Sequence, residues 1–264
     1  MIIIGEKING AIPATNKAIA ARNADYIRKI AKSQSEAGST YIDVHASLNE
    51  GELEVVKWLI DLVQEVSDKP ICIDSPDPRV CVDAMQFCNK VGLVNSISME
   101  GDKVDVILPA IKGTNWSVVA LLCDDIVGIP KDAASRIEIF KRVMDVTAKY
   151  DIKPDRVFID PLVEGLATNN ESLLTFIETS IEIKKLYPDV HITSGLSNIS
   201  FGLPGRKILN TAFMTLAMSA GMDSAIVDPT NKEMMGAIFA TSALLGKDDF
   251  CLEYITAYRE GLIG

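Results

Sequence analysis

Histidine is scarce in this chain, with two in 264 residues, and the five cysteines (Cys72, Cys81, Cys88, Cys123 and Cys251) include no Cys-x-x-Cys pair. A zinc site or an iron–sulfur cluster therefore lacks its ligands, and the thiols read as reduced groups of a cytosolic protein. No metal site is expected. Cations are outnumbered, with 26 Lys and Arg against 36 Asp and Glu and a formal net charge of −10. Phosphate backbones are held by Lys and Arg that release counterions, so this balance speaks against nucleic acid and against an anionic membrane surface. No apolar run reaches the roughly 18 residues of a membrane span, and Met1-Ile-Ile-Ile-Gly-Glu-Lys7 has no basic leader ahead of an apolar core. A soluble, cytoplasmic protein is expected. Linker-like, low-complexity and single-charge stretches are missing too, so residues 1–264 read as one domain.

What is present is a repeat of short apolar runs: Ile2–Ile4, Thr40–Val44, Ile71–Ile73, Leu93–Val94, Val118–Leu122, Val157–Ile159, His191–Leu196 and Ala225–Val227. They lack clean alternation, as strands of a parallel sheet covered on both sides do. Between them lie helical spacings, such as Leu53, Val56, Ile60 and Val63, or Ile137, Phe140 and Val143. Gly221 and Gly246 stand where helices should stop. Eight strand–helix units in this length predict an α/β fold, a single-domain (β/α)8 TIM barrel, with a last helical segment near Leu252–Leu262 packed outside. The alternative is a doubly wound open sheet. A nucleotide-binding sheet of that kind would carry G-x-G-x-x-G after its first strand, and Gly5-Glu-Lys-Ile-Asn-Gly10 is not that motif.

The residues that follow each run are carboxylates and amides: Glu6 and Asn9, Asp43 and His45, Asp74-Ser75, Asn95-Ser96, Asp160-Pro161, Ser197-Asn198 and Asp228-Pro229. Any one of them could simply cap the next helix. Seven strand ends of eight predict a polar pocket at the C-terminal face of a barrel. Without grouped Lys or Arg it suits phosphate poorly, and without His it suits a transition metal poorly. It suits a flat heterocycle with N–H donors beside a carbonyl, where charge-assisted hydrogen bonds contribute about 1.5–3 kcal/mol each. The loop Thr193–Arg206 is small, polar and glycine-rich, with Asn198 at its centre. A neutral amide both donates and accepts, which fits a reaction at a weakly basic nitrogen.

Gly5-Glu-Lys-Ile-Asn-Gly10, Cys72-Ile-Asp-Ser75, Val94-Asn-Ser96, Phe158-Ile-Asp-Pro-Leu162 and Gly195-Leu-Ser-Asn-Ile-Ser200 together resemble the pterin-binding methyltransferases. That family includes the methyltetrahydrofolate:corrinoid protein methyltransferases and the folate domain of cobalamin-dependent methionine synthase. The resemblance spans the chain. It implies a homodimeric barrel that moves a methyl group between N5 of tetrahydrofolate and the cobalt of a corrinoid, cobalamin, carried by a partner protein. It also implies that Asp74, Asn95 and Asp160 hold the pterin, that Gly195 and Ser197 line the same wall, and that Asn198 faces N5 as the catalytic group.

Phe201 is open between packing on folate or corrin and plain loop packing, and Arg206 between meeting the folate tail or partner and starting a helix in solvent. Asp43-Val-His45 resembles the start of the D-x-H-x-x-G pattern by which corrinoid carriers ligate cobalt, but Leu48 replaces its glycine, so the cobalamin is expected on a separate protein. His191 is expected on the opposite face in a structural role, and Cys81 and Cys88 on one helix face. The helix near Lys207–Ala220 is apolar almost all round, which predicts self-association. Two other functions stay open, a dihydropteroate synthase-like enzyme and a non-catalytic pterin-binding protein. The first would want a Lys after strand 6, and Asp160-Pro-Leu-Val-Glu-Gly165 has none.

Overall fold

The computed structural model describes residues 1–46 and 51–264. Eight strands form one parallel sheet: β1 (Ile2–Asn9), β2 (Tyr41–His45), β3 (Ile71–Asp74), β4 (Leu93–Met99), β5 (Ser117–Asp124), β6 (Val157–Asp160), β7 (His191–Ile192) and β8 (Ser224–Val227). Their order is β7-β6-β5-β4-β3-β2-β1-β8, so each strand lies beside its sequence neighbour and β8 returns to β1. Between β7 and β8 the backbone is joined by two hydrogen bonds, Asp223 N–H to Ile192 O at 3.2 Å and Ile226 N–H to Ser194 O at 3.1 Å, which close the ring. The helices around it are α1 (Pro13–Ala20), α2 (Ala24–Glu36), α3 (Glu52–Val66), α4 (Pro78–Ala84), α5 (Lys103–Ile111), α6 (Ala133–Lys149), α7 (Ser172–Leu186), α8 (Arg206–Ser219), α9 (Lys232–Leu244) and α10 (Leu252–Arg259). The expected TIM barrel is the fold of the protein.

Successive strand residues point to opposite faces, which splits the apolar side chains into two cores. Outward-facing Ile3, Ile42, Ile71, Ile73, Val94 and Val118 pack with the buried helix faces. Inward-facing Ile4, Cys72, Leu93, Val119 and Phe158 fill the lumen. The lumen is a packed plug, as barrel interiors of this strand number are.

Three expectations need correction. The run His191–Leu196 is a strand over two residues only; Leu196–Ser200 is a 3₁₀ turn, because Leu196 and Ile199 are both drawn inside the protein. Cys81 and Cys88 do not share a helix face: α4 ends at Ala84, and a separate 3₁₀ turn at Met85–Phe87 intervenes. Strands β1 and β4 run well beyond their apolar runs. In β1 the register against β2 shifts between Gly5 and Ile8, an inserted residue that keeps the strand paired as far as Asn9. The helix stops at Gly221 and Gly246 have φ of 108° and 68°, the left-handed conformation that glycine adopts without strain.

Candidate active site

The lumen filler dictates where the polar side chains stand. Two residues above Ile4 is Glu6, above Tyr41 is Asp43, above Cys72 is Asp74, above Leu93 is Asn95, above Phe158 is Asp160 and above Ile226 is Asp228. A period of two therefore lays a carboxylate and amide layer on top of an apolar one, at the C-terminal end of the barrel.

A cavity of about 650 Å³ opens there. Glu6, Asn9, Asp43 and Asp74 form one wall, and Gly195, Ser197, Asn198 and Arg206 the other. Five of the sequence-predicted residues, Asp74, Gly195, Ser197, Asn198 and Arg206, are thus brought together. Asn95 and Asp160 lie at the same level but are 8% and 7% exposed and do not line this space. Phe201 stands outside it, 72% exposed.

Asn198 sits in the 3₁₀ turn, whose backbone is pinned from behind by Arg206: Nε donates to Ser200 Oγ at 3.0 Å and a terminal nitrogen donates to Ser197 O at 2.8 Å. Among the described residues no hydrogen bond engages the Asn198 side chain, so its amide is presented to the cavity with both donor and acceptor capacity unspent. Arg206 accordingly acts as a positioning residue for the loop. Leu48, which entered the comparison with corrinoid-ligating sequences, lies outside the described residues.

The opposite wall is electrostatically loaded. Asp43 is fully buried, and among the described residues its oxygens meet no N–H or O–H donor, only the weakly donating thiol of Cys72. Burial, and then the neighbouring Asp74 charge, push its carboxyl well above the usual range. Burial and Asp228 likewise raise Glu6 to about 7, against the opposing pull of Lys7 and Arg206. Asp160 is raised to about 6 by burial, although Leu162 N–H donates to it at 2.8 Å and the Gly195 backbone also bonds to it. His45 Nδ1 lies 3.2 Å from Asp74 Oδ2; burial alone would lower the imidazole, but Asp74 outweighs it and holds the ring above its usual value. A buried carboxyl with unspent oxygens needs donors, and a ligand edge carrying N–H groups supplies them. Sequence reading noted Glu6, Asn9 and Asp43 as strand ends without ranking them as ligands; the lumen periodicity is the signal that picks out Glu6 and Asp43.

Elsewhere the groups are accounted for. Lys7 Nζ is 3.0 Å from Asp228 Oδ2. His191 Nδ1 is 3.2 Å from Asp223 Oδ2 at the opposite end of the barrel, as its structural role predicts. Among the described residues no cluster of His, Cys, Asp and Glu could hold a metal ion, and no helix is long and apolar enough to cross a membrane.

The family model for pterin binding enzymes matches residues 14–228. The chain is 52% identical over 267 residues to the methylcorrinoid:tetrahydrofolate methyltransferase of Eubacterium limosum, covering 100% of this chain and 98% of that one. It is 31% identical over 241 residues to the methionine synthase of Mycobacterium tuberculosis, covering 86% of this chain and 20% of that protein. Among solved structures, a dihydropteroate synthase from Clostridium difficile superposes with a TM-score of 0.70 over 92% of this chain and 96% of that one; at 21% identity the likeness is one of fold. The chain belongs to the pterin-binding enzyme family.

Proposed function

We propose that this protein is a methyltransferase that moves a methyl group from the cobalt of a corrinoid, carried by a partner protein, to N5 of tetrahydrofolate. The observation that carries the reading is the 52% identity, end to end, with a relative named for that reaction. The cavity supports it. In this reading the edge N–H groups of the pterin satisfy Asp43 and Asp74 and the ring is flanked by Asn95 and Asp160, while Gly195 and Ser197 form the facing wall. Asn198 is the catalytic residue. Its amide oxygen accepts the N5 hydrogen, which turns the nitrogen lone pair toward the methyl carbon. As the C–N bond forms, the cobalt–carbon bond breaks with its electron pair left on cobalt, and N5 gives up its proton to solvent. The amide oxygen accepts from N5–H while that proton is present, and the amide NH2 donates to the N5 lone pair once the proton has left.

The same reading places the enzyme in the cytoplasm as one catalytic domain and as a homodimer paired through α8. Ile208 and Leu216 on that helix are 75% and 45% exposed, while Phe213 and Met214 turn inward. Ile208→Glu should shift the sedimentation coefficient from dimer to monomer, and a monomeric wild type would remove that assignment. Phe201, at the mouth, is available to the corrinoid side. The function itself is tested by mixing the protein with tetrahydrofolate and methylcobalamin and following the visible spectrum of the cobalt. Demethylation no faster than without protein would overturn the proposal.

A further inference from the structure

Among the described residues the largest fully buried side chain is a charged one, Arg136, in the first turn of α6. Its Nε donates to Pro130 O at 2.9 Å and one terminal nitrogen donates to Leu162 O at 2.9 Å, so it joins the loop after β5 to the loop after β6. The other terminal nitrogen is buried and has no hydrogen-bond partner among the described residues. Taking a guanidinium out of water is unfavourable when its partners are carbonyls and not a carboxylate, and an apolar side chain of similar volume would hold a core at least as well. What the arginine adds is the tie between the two loops.

Leu162 is the point of attachment. Its φ of 70° lies in the left-handed region that residues other than glycine seldom occupy, so its surroundings hold it there. In that conformation its carbonyl meets Arg136 while its N–H donates to Asp160 Oδ1 at 2.8 Å. Further along the same loop, Leu166 N–H donates to Ile199 O at 3.0 Å, and a Cβ on Gly165 would stand 3.5 Å from Asn198 O. One short loop therefore touches both the Asp160 carboxyl and the backbone of the turn that carries Asn198.

The charges point the same way. The acids that act on Arg136 are Glu164, Asp160 and Asp132. Glu164 accepts from Asn169 Nδ2 at 2.8 Å, and Asp132 is occupied in capping α6 through Ser135 N–H at 2.8 Å. Asp160 is the buried member of the three. Burial raises its carboxyl, and the Leu162 and Gly195 backbone groups and then Arg136 pull the other way.

We propose that Arg136 is a positioning residue for the reaction: by fixing the β6 loop at Leu162 it keeps the Asp160 carboxylate beside the ring and supports the turn that presents Asn198. The proposal rests on the folate reading above and extends it to a residue that touches neither ligand.

The test pairs Arg136→Lys, which retains the charge but cannot reach both carbonyls, with Arg136→Met, which retains neither. Carboxyl carbon NMR of the ligand-free protein, with Asp160 assigned by the signal lost in Asp160→Asn, reads its titration directly. The wild type should titrate at about 6, Arg136→Met higher by on the order of 1 pH unit, and Arg136→Lys close to the wild type. Tetrahydrofolate affinity should be lost on acidification through the same values, since the ionised carboxylate is the form that accepts N–H groups. In methyl transfer from methylcobalamin, Arg136→Met should lose on the order of 10²-fold in kcat, and Arg136→Lys a smaller but measurable part of that. An arginine that only fills the core would lower the thermal melt of both variants without separating their pH profiles. An Asp160 titration unmoved in Arg136→Met overturns the proposal, as does a folded Arg136→Lys with wild-type kcat; should Arg136→Met not fold, the kcat of Arg136→Lys decides alone. A shifted Asp160 titration in a protein whose wild type moves no methyl group would leave the tie between Arg136 and Asp160 standing and overturn the methyl-transfer reading instead.

Discussion

The two ends of the barrel hold the same kinds of side chain in opposite states. At the N-terminal end Asp223 accepts from Ile192 N–H at 2.9 Å, from Lys184 Nζ at 2.9 Å and from His191 Nδ1 at 3.2 Å. Burial would raise its carboxyl, but these three partners together hold it below the usual range. At the C-terminal end Asp43, Glu6 and Asp160 are raised by burial, and the Asp43 oxygens meet no N–H or O–H donor among the described residues. A carboxylate surrounded by its own donors ties chain segments together. One left without donors stores a demand that a ligand can meet.

The sharpest separation of the two ends comes from activity. Asn198→Ala should keep folate affinity within about tenfold, one lost hydrogen bond, and lose about 10²–10³ in methyl transfer from methylcobalamin; equal turnover by mutant and wild type would deny the site its catalytic group. Next in size is the closed end. Asp223→Ala takes the anionic partner from His191 and leaves Lys184 with carbonyl oxygens alone, and should destabilise the protein by about 1.5–3 kcal/mol in urea unfolding, while leaving folate affinity within twofold. Because its pKa is depressed, the stability that Asp223 contributes is present at neutral pH and disappears as pH falls through the folded value, so the variant should show a flatter acid limb.

Smallest, and opposite in sign, is Glu6→Gln. The native state retains a proton on Glu6 up to about 7 that the unfolded chain releases near 4.5, so native stability falls as pH rises through that interval. Glutamine removes the dependence and should make the protein more stable than wild type at pH 8 by on the order of 2 kcal/mol, with no gain at pH 4. An Asp223-like acid limb at Glu6 would collapse the distinction between the two ends.

The barrel was legible because its strands are short, apolar and regularly spaced, and because one strand–helix unit repeated eight times leaves few other closures. What escaped was whatever depends on register. The inserted residue in β1 lies between Gly5 and Ile8 and changes no apolar count. Leu196 extends an apolar run in sequence, yet it anchors a turn, because burial by itself does not say which backbone conformation delivers it. Cys81 and Cys88 fit a helical spacing, and neither Gly nor Pro marks the break after Ala84. In the site, Asn198 and Asp74 were readable as polar residues ending apolar runs. The state of Asp43 was not, because the lack of a partner is a fact about three-dimensional neighbours. Arg206 was left open between ligand and solvent, and its hydrogen bonds to Ser197 and Ser200 give it a third role.

The seam between β7 and β8 gives the ring an uneven mechanical character. Strands β1 to β6 are paired with both neighbours, with register shifts between β1 and β2 and between β4 and β5, whereas β7 meets β8 through the two bonds at Ile192 and Ser194. Opening is easiest where the lacing is sparsest, and the chain that leaves this seam carries Asn198. The cavity wall built on Asp43 and Asp74 is therefore carried on strands paired along both edges, and the Asn198 wall on the chain that leaves the sparsest seam.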